Sequence, residues 1–270
     1  MRALRALVTG PSTGIGRTFA RERPATGYAV TAVAPSKDRL RTLVDELGSS
    51  HRYLVADLAT TDGQGLIADE LARHLADLLV NNAGAAHHGP FTETTARDAL
   101  TAIRLNCEAV VTLAHAFLAQ ARPGDALINV SSTLAYAPTP GLAVHSASKA
   151  FVTSLSKALW HEQRPCRVYV MGLCPGMTAT DSQFLSHEDA TAALIQTPEA
   201  LVAAAPGPRP PRPPHCGLRQ GECRLHLRRP PAAPQNRPRA AQPPALIRPA
   251  RPLRPPERPG KTVQQIADIP

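Results

Sequence analysis

Through roughly the first two thirds of the chain, short, almost continuously apolar runs alternate with longer stretches in which apolar side chains recur every three or four positions. The runs, at residues 3–9, 29–34, 52–56, 78–81, 126–131 and 167–173, have the length of strands. The periodic stretches, at about residues 14–27, 38–48, 65–75, 93–120 and 146–162, have the length of helices. A strand that is apolar on both faces must be covered on both faces. The alternation therefore predicts an α/β fold, a doubly wound parallel sheet in a single domain with helices on either side and no internal repeat. Pro24 lies within the first periodic stretch, where a helix either bears a cost of about 3 kcal/mol or stops.

Beyond residue 205 the pattern gives out, and composition explains why. Residues 1–205 carry 17 Lys and Arg against 18 Asp and Glu. Residues 206–260 carry 12 Arg against Glu222 and Glu257, so the net charge of +9 belongs to this second segment. The segment also holds 17 of the 28 prolines, which disfavour helix interiors and central strands alike. The expected organisation is one α/β domain at 1–205, followed by a Pro/Arg-rich, disordered or irregular tail at 206–270. Three explanations of the tail compete: a basic arm for nucleic acid or an anionic surface, a flexible extension without function, or a GC-rich coding sequence read in a shifted frame. The third is favoured because such reading enriches Pro, Arg and Ala together. The first lacks the aromatic platform that single-stranded nucleic acid uses, so no nucleic-acid partner is expected. No apolar run approaches the roughly 18–20 residues needed to span a bilayer, and the start lacks the features of a signal peptide. A cytoplasmic protein without a membrane partner is expected. Five cysteines, an odd number with no CxxC pair, indicate free thiols and no metal site.

The first candidate chemistry follows the first strand directly, at Thr9-Gly10-Pro11-Ser12-Thr13-Gly14-Ile15-Gly16, where the chain turns into the first helix. Gly10 permits a tight turn, Gly14 lets the backbone approach a diphosphate, and Gly16 allows close packing of helix on strand. The helix start offers unpaired N–H groups and a positive dipole end. This placement makes the glycine cluster a Rossmann-like dinucleotide turn, with Gly10, Ser12, Thr13, Gly14, Ile15 and Gly16 as cofactor-binding candidates. At the end of the second strand, an acidic side chain would accept the ribose hydroxyls and repel a 2′-phosphate. The chain there reads Val33-Ala34-Pro35-Ser36-Lys37, with Arg39 close behind. The expected cofactor is NADP, with NAD as the alternative.

With these motifs in order, residues 1 to about 181 resemble the short-chain dehydrogenase/reductase family. Thr9 to Gly16 fits its glycine turn, Asp57-Leu58 its acidic pair after the third strand, and Asn81-Asn82-Ala83-Gly84 its motif after the fourth. Asn106 falls where that family keeps a site asparagine, Ser132 follows the fifth strand, and Pro175-Gly176 the sixth, with Thr178 and Thr180 beyond. The resemblance implies that Asp57, Leu58 and Asn82 serve the adenosine half of the cofactor. It implies an oxidoreductase that interconverts a small-molecule carbonyl and a secondary alcohol. It also implies a homodimer, because the helices at 93–120 and 146–162 resemble those through which relatives pair.

The family's active site reads Ser, then Tyr thirteen residues on, then Lys four residues further; here the three are Ser132, His145 and Lys149. By resemblance, Ser132 would hydrogen-bond the carbonyl oxygen, Lys149 would hold the nicotinamide ribose, and Asn106 would support a proton-relay water. Spacing of four puts residues 145 and 149 on one helix face. A phenol beside an ammonium suits proton donation, whereas an imidazole of ordinary pKa about 6.5 beside Lys149 is mostly neutral at pH 7. The expectation is therefore an oxidoreductase impaired at its proton donor, or, alternatively, an inactive NADP(H)-binding protein. Tyr136, in the loop before His145, is read as loop packing, and His87 and His88 as a loop rim.

Overall fold

The computed structural model describes residues 3–176, 197–203 and 205, all within a first compact unit, Met1–His226. Six strands form one parallel sheet: β1 (Leu4–Thr9), β2 (Tyr28–Ala34), β3 (Arg52–Val55), β4 (Leu78–Asn81), β5 (Ala126–Val130) and β6 (Tyr169–Leu173). Their order in space is β3-β2-β1-β4-β5-β6. The winding reverses between β1 and β4, the place where an open α/β sheet leaves a crevice at its strand ends.

Among the described residues, seven helices connect and cover the strands: α1 (Gly14–Glu22), α2 (Lys37–Leu47), α3 (Thr61–Arg73), α4 (Ala96–Ile103), α5 (Ala109–Leu118), α6 (Ala143–Gln163) and α7 (Pro198–Ala203). Because successive side chains on a strand point to opposite faces, each strand feeds two cores. Ala6 and Val8 of β1, Val80 of β4 and Ile128 of β5 pack with Phe19 of α1, Leu40 of α2 and Val202 of α7. Leu7, Leu79 and Leu127 pack on the other face with Ile67 of α3 and Leu113 and Phe117 of α5. This is the two-faced burial that the apolar runs demand.

Two helices end otherwise than the periodicity predicts. The first stops at Glu22, and Pro24–Thr26 forms a separate 3-10 turn closed by Gly27 at φ 86°. A proline has no N–H to continue the ladder, so the chain turns there instead of bearing the cost. The stretch at 93–120 divides into α4 and α5 around a π-helical turn, Arg104–Glu108.

The short helix α7 lies against α1. Leu201 and Val202 are buried, and Arg23 donates from Nη2 to Val202 O at 3.1 Å while its guanidinium covers the Phe19 ring. Thr178, Thr180 and the tail at 206–270 lie outside the described residues, as does any test of the 205/206 domain boundary.

Candidate functional site

The crevice between β1 and β4 is built from backbone and two side chains. Gly10 sits at φ 64°, and a Cβ there would stand 2.9 Å from Ala83 Cα, so the turn closes only with glycine. A Cβ on Gly16 would collide with Asn82 Nδ2 and Gly10 O. Asn82 donates from Nδ2 to Thr9 O and Gly10 O, both at 3.0 Å. The Thr9 hydroxyl donates to Val80 O and accepts from the N–H groups of Asn82 and Ala83, each at 3.0 Å. Helix α1 begins at Gly14, and the Thr13 side chain makes no capping hydrogen bond to its first turn. Backbone N–H groups and a dipole end are thus presented at the crevice, with Ser12, Thr13 and Ile15 half-buried around them. These features fit the diphosphate of a dinucleotide.

Asp57 and Leu58 follow β3. Asp57 is exposed, its Oδ1 accepting from Ala59 N at 2.9 Å, whereas the Leu58 side chain is buried in the core beneath. Any contact of Leu58 with a nucleotide would run through its backbone. Asn82, expected at the adenosine half, commits its amide nitrogen to the glycine turn and so braces that turn.

At the ends of β4 and β5 the remaining candidates converge. The π-helical turn carries one residue more than an α-helical turn and directs Asn106 inward, where it is 1% exposed. Asn106 Oδ1 accepts from Ala85 N at 2.9 Å, and its Nδ2 donates to Ala85 O at 2.8 Å and Ser148 Oγ at 3.0 Å. His145, in the first turn of α6, brings Nδ1 to 3.5 Å from the same Ala85 oxygen. Lys149, one turn along α6, donates from Nζ to Val130 O at 2.8 Å. A Cβ on Gly84 would lie 3.1 Å from Asn106 Oδ1 and 3.5 Å from Lys149 Nζ, so these two side chains meet over Gly84. Ser132 caps the 3-10 turn after β5, accepting from Leu134 N at 3.2 Å, which leaves its O–H to donate. Ser131 ties the strand to α6 by donating to Lys149 O at 2.7 Å.

Burial sets the electrostatics. The Lys149 ammonium is pushed down to about 8 because it is removed from water, against the upward pull of the Cys107 and Cys174 thiolates when these form. His145 is held below the ordinary imidazole value, first by burial and then by the charge of Lys149. Neither group resembles a phenol beside a solvated lysine.

The sequence candidates Asn106, His145 and Lys149 thus come together, Ser132 stands beyond the Val130 carbonyl that holds Lys149, and the glycine turn lies across the crevice with Asn82 beneath it. Tyr136 is half exposed in its loop, with the Lys157 Nζ 5.1 Å from its ring centroid. His87 and His88 are exposed, and His87 lines an open cleft together with Phe91, Val144 and His145. Sequence reading missed Ala85, whose peptide orients both Asn106 and His145. It acts through its backbone, which no residue identity reveals. It also missed the Thr9 and Ser148 hydroxyls, although Thr9 lies inside the glycine motif.

Comparison with known proteins supports the same grouping. The family model for short chain dehydrogenases matches residues 5–190. A very-long-chain 3-oxoacyl-CoA reductase of Pyrenophora tritici-repentis is 31% identical over 211 residues, covering 74% of this chain and 61% of that protein. The chain therefore spans less than two thirds of that relative's length. Nodulation protein G of a Rhizobium strain is 31% identical over 72% of this chain and 82% of its own length. Among solved structures, a short-chain dehydrogenase from Sphingobium yanoikuyae in complex with NADPH superposes with a TM-score of 0.68 at 30% identity, over 74% of this chain and 82% of that one. With a dinucleotide-type crevice at the winding reversal and a family model matching most of the residues that build it, the chain belongs to the short chain dehydrogenase family.

Proposed function

We propose that the chain binds NADP(H), or NAD(H) in its place, and transfers hydride between a small-molecule carbonyl and a secondary alcohol, with turnover limited by His145. The observation that carries this reading is the gathering of Asn106, His145 and Lys149 around Ala85 and Gly84 at the strand ends beside the glycine turn. The complex of the Sphingobium relative with NADPH supports the choice of cofactor. So do Lys37 and Arg39 after β2, where Asp38 is 3.4 Å from Arg41 and its side chain is 85% exposed.

When bound, the nicotinamide supplies or takes up the hydride. The first turn of α1 and the Gly10 turn would hold the diphosphate, and Lys149, with one N–H on Val130 O, would offer its others to the ribose hydroxyls. Ser132 donates its O–H to the substrate oxygen. Asn106, held on both sides by Ala85, fixes the floor beneath. His145 has to exchange the proton, and its ring is mostly neutral at pH 7 and shorter than a tyrosine. A displacement of about 1 Å at such a step lowers the rate on the order of 100-fold. The reading also includes a cytoplasmic location, with free thiols at Cys107 and Cys166, and a homodimer formed on α4, α5 and α6, where Leu100, Ile103, Val111 and Phe151 are exposed.

The test is His145→Tyr. Carbonyl reduction with NADPH, followed at 340 nm across a panel of ketones, is expected to rise by about 100-fold in kcat with little change in NADPH affinity. No gain in a folded, NADPH-binding variant favours the second reading, a cofactor-binding protein without turnover, to which the neutral His145 ring already points.

A further inference from the structure

We infer that His145 serves this site as a base, taking the proton of a secondary alcohol on Nε2, so that the chain favours oxidation of alcohols over reduction of ketones. This rests on the oxidoreductase reading above and adds to it the direction of the reaction and the atom that exchanges the proton.

The argument begins with the Ala85 carbonyl, which can only accept. It already takes the Asn106 Nδ2 hydrogen at 2.8 Å, and it faces His145 Nδ1 at 3.5 Å. A lone pair on Nδ1 would oppose the oxygen, so the favourable ring carries its hydrogen on Nδ1. In a neutral imidazole the other nitrogen is then bare. Nε2 diverges from Nδ1 across the ring, which leaves it for a ligand in the cleft that His145 lines with Ala85, Gly141 and Val144. An imidazole in this tautomer can accept a proton at Nε2 but has none to give there.

Of the titratable groups nearby, Lys149 lies one turn along α6 and acts on the ring by its charge, His87 lines the same cleft, and Cys107 on the π-helical turn faces Ser148 O, three residues along α6 from His145. Burial, and then Lys149, disfavour the imidazolium more than the Ala85 carbonyl favours it, and Cys107 is itself pushed up by burial. The step balances as follows: the alcohol O–H proton passes to Nε2, the C–H bond electrons leave as hydride to oxidised nicotinamide, and the C–O bond becomes C=O. The imidazolium then releases its proton to water, which its lowered pKa favours at neutral pH. Reduction needs the ring charged before the step and loses that population tenfold per pH unit above the ring's pKa.

Two measurements on the full chain test this. Nitrogen NMR of histidine-labelled protein, with the His145 signals assigned by their absence in H145Q, or in H145Y should H145Q not fold, reads the tautomer without any cofactor. A protonated Nδ1 and bare Nε2 at pH 8 are expected; an Nε2–H ring overturns the proposal. In parallel, the ratio of kcat for secondary-alcohol oxidation with NADP to kcat for ketone reduction is expected to rise about 100-fold from pH 7 to 9, a ratio from which the titration of Lys149 near 8, shared by both directions, cancels. Equal pH dependence in the two directions overturns the base role. Fluorescence titration with NADPH separates the two ideas: lack of binding sinks the oxidoreductase reading and the base role with it, whereas binding with an Nε2–H ring sinks the base role alone.

Discussion

Lys149 holds its ammonium out of water, where it donates to Val130 O, and burial pushes its pKa from 10.5 down to about 8. Between those two values the folded chain binds fewer protons than the unfolded chain, so stability rises with pH across that window, and the full penalty is present below pH 8. The shift corresponds to on the order of 3 kcal/mol. Methionine has a similar length and no charge to desolvate, although Val130 O then lacks its donor. Lys149→Met is therefore expected to raise stability at pH 7 by on the order of 1–2 kcal/mol, with the advantage fading as pH climbs from 8 to 10.5. Urea unfolding of both proteins at several pH values measures it. A variant less stable than the parent at pH 7 contradicts the assignment. His145 shows how far residue identity carries a reading. Its departure from tyrosine and the repulsion from Lys149 are visible in the spacing of four. Its tautomer is not, because that depends on the Ala85 oxygen brought in from the end of β4 by the fold.

The seating of α1 against the end of β4 depends on Gly16. A methyl group there meets Asn82 Nδ2 and Gly10 O, neither of which can retreat without breaking the brace on the turn. Gly16→Ala is expected to lower stability by about 1–3 kcal/mol and weaken NADPH binding at least tenfold, read by thermal unfolding and by fluorescence titration. The strands were largely legible from hydrophobic period, β4 to the residue and the others within two residues at each end, whereas helix ends were less so: α3 begins four residues and α6 three residues before its periodic stretch, and α1 stops five short of its own. The break between α4 and α5 was not legible. One extra residue in a helical turn leaves the apolar spacing on either side intact, so only the backbone shows that Asn106 faces inward. Pro24 was legible as a conflict, and the fold resolves it by ending α1 at Glu22.

For the molecule as a whole, charge and proline content divide the sequence at 205, since the first part is nearly neutral and the second is not. What composition cannot display is which surface is apolar once folded. Leu100 and Ile103 on α4 are 53% and 43% exposed, and Phe151 on α6 is 43% exposed. If these helices pair two copies, Leu100→Glu combined with Phe151→Glu is expected to convert a dimer into a species of 28.7 kDa in sedimentation equilibrium, with the far-ultraviolet dichroism unchanged. A wild-type chain already sedimenting at that mass contradicts the pairing.

The hydroxyl of Thr9, fastened to Val80 and to two successive amides beyond β4, gives the crevice its form before any guest arrives. A nucleotide docking there meets a berth already shaped by the sheet, with little chain entropy left to surrender on entry. The His145 imidazole, to which we assign the proton, hangs from a different element, the opening turn of α6. Berth and chemistry are therefore separable inheritances: substitution at position 145 can silence or reverse the reaction in a descendant that still holds its dinucleotide.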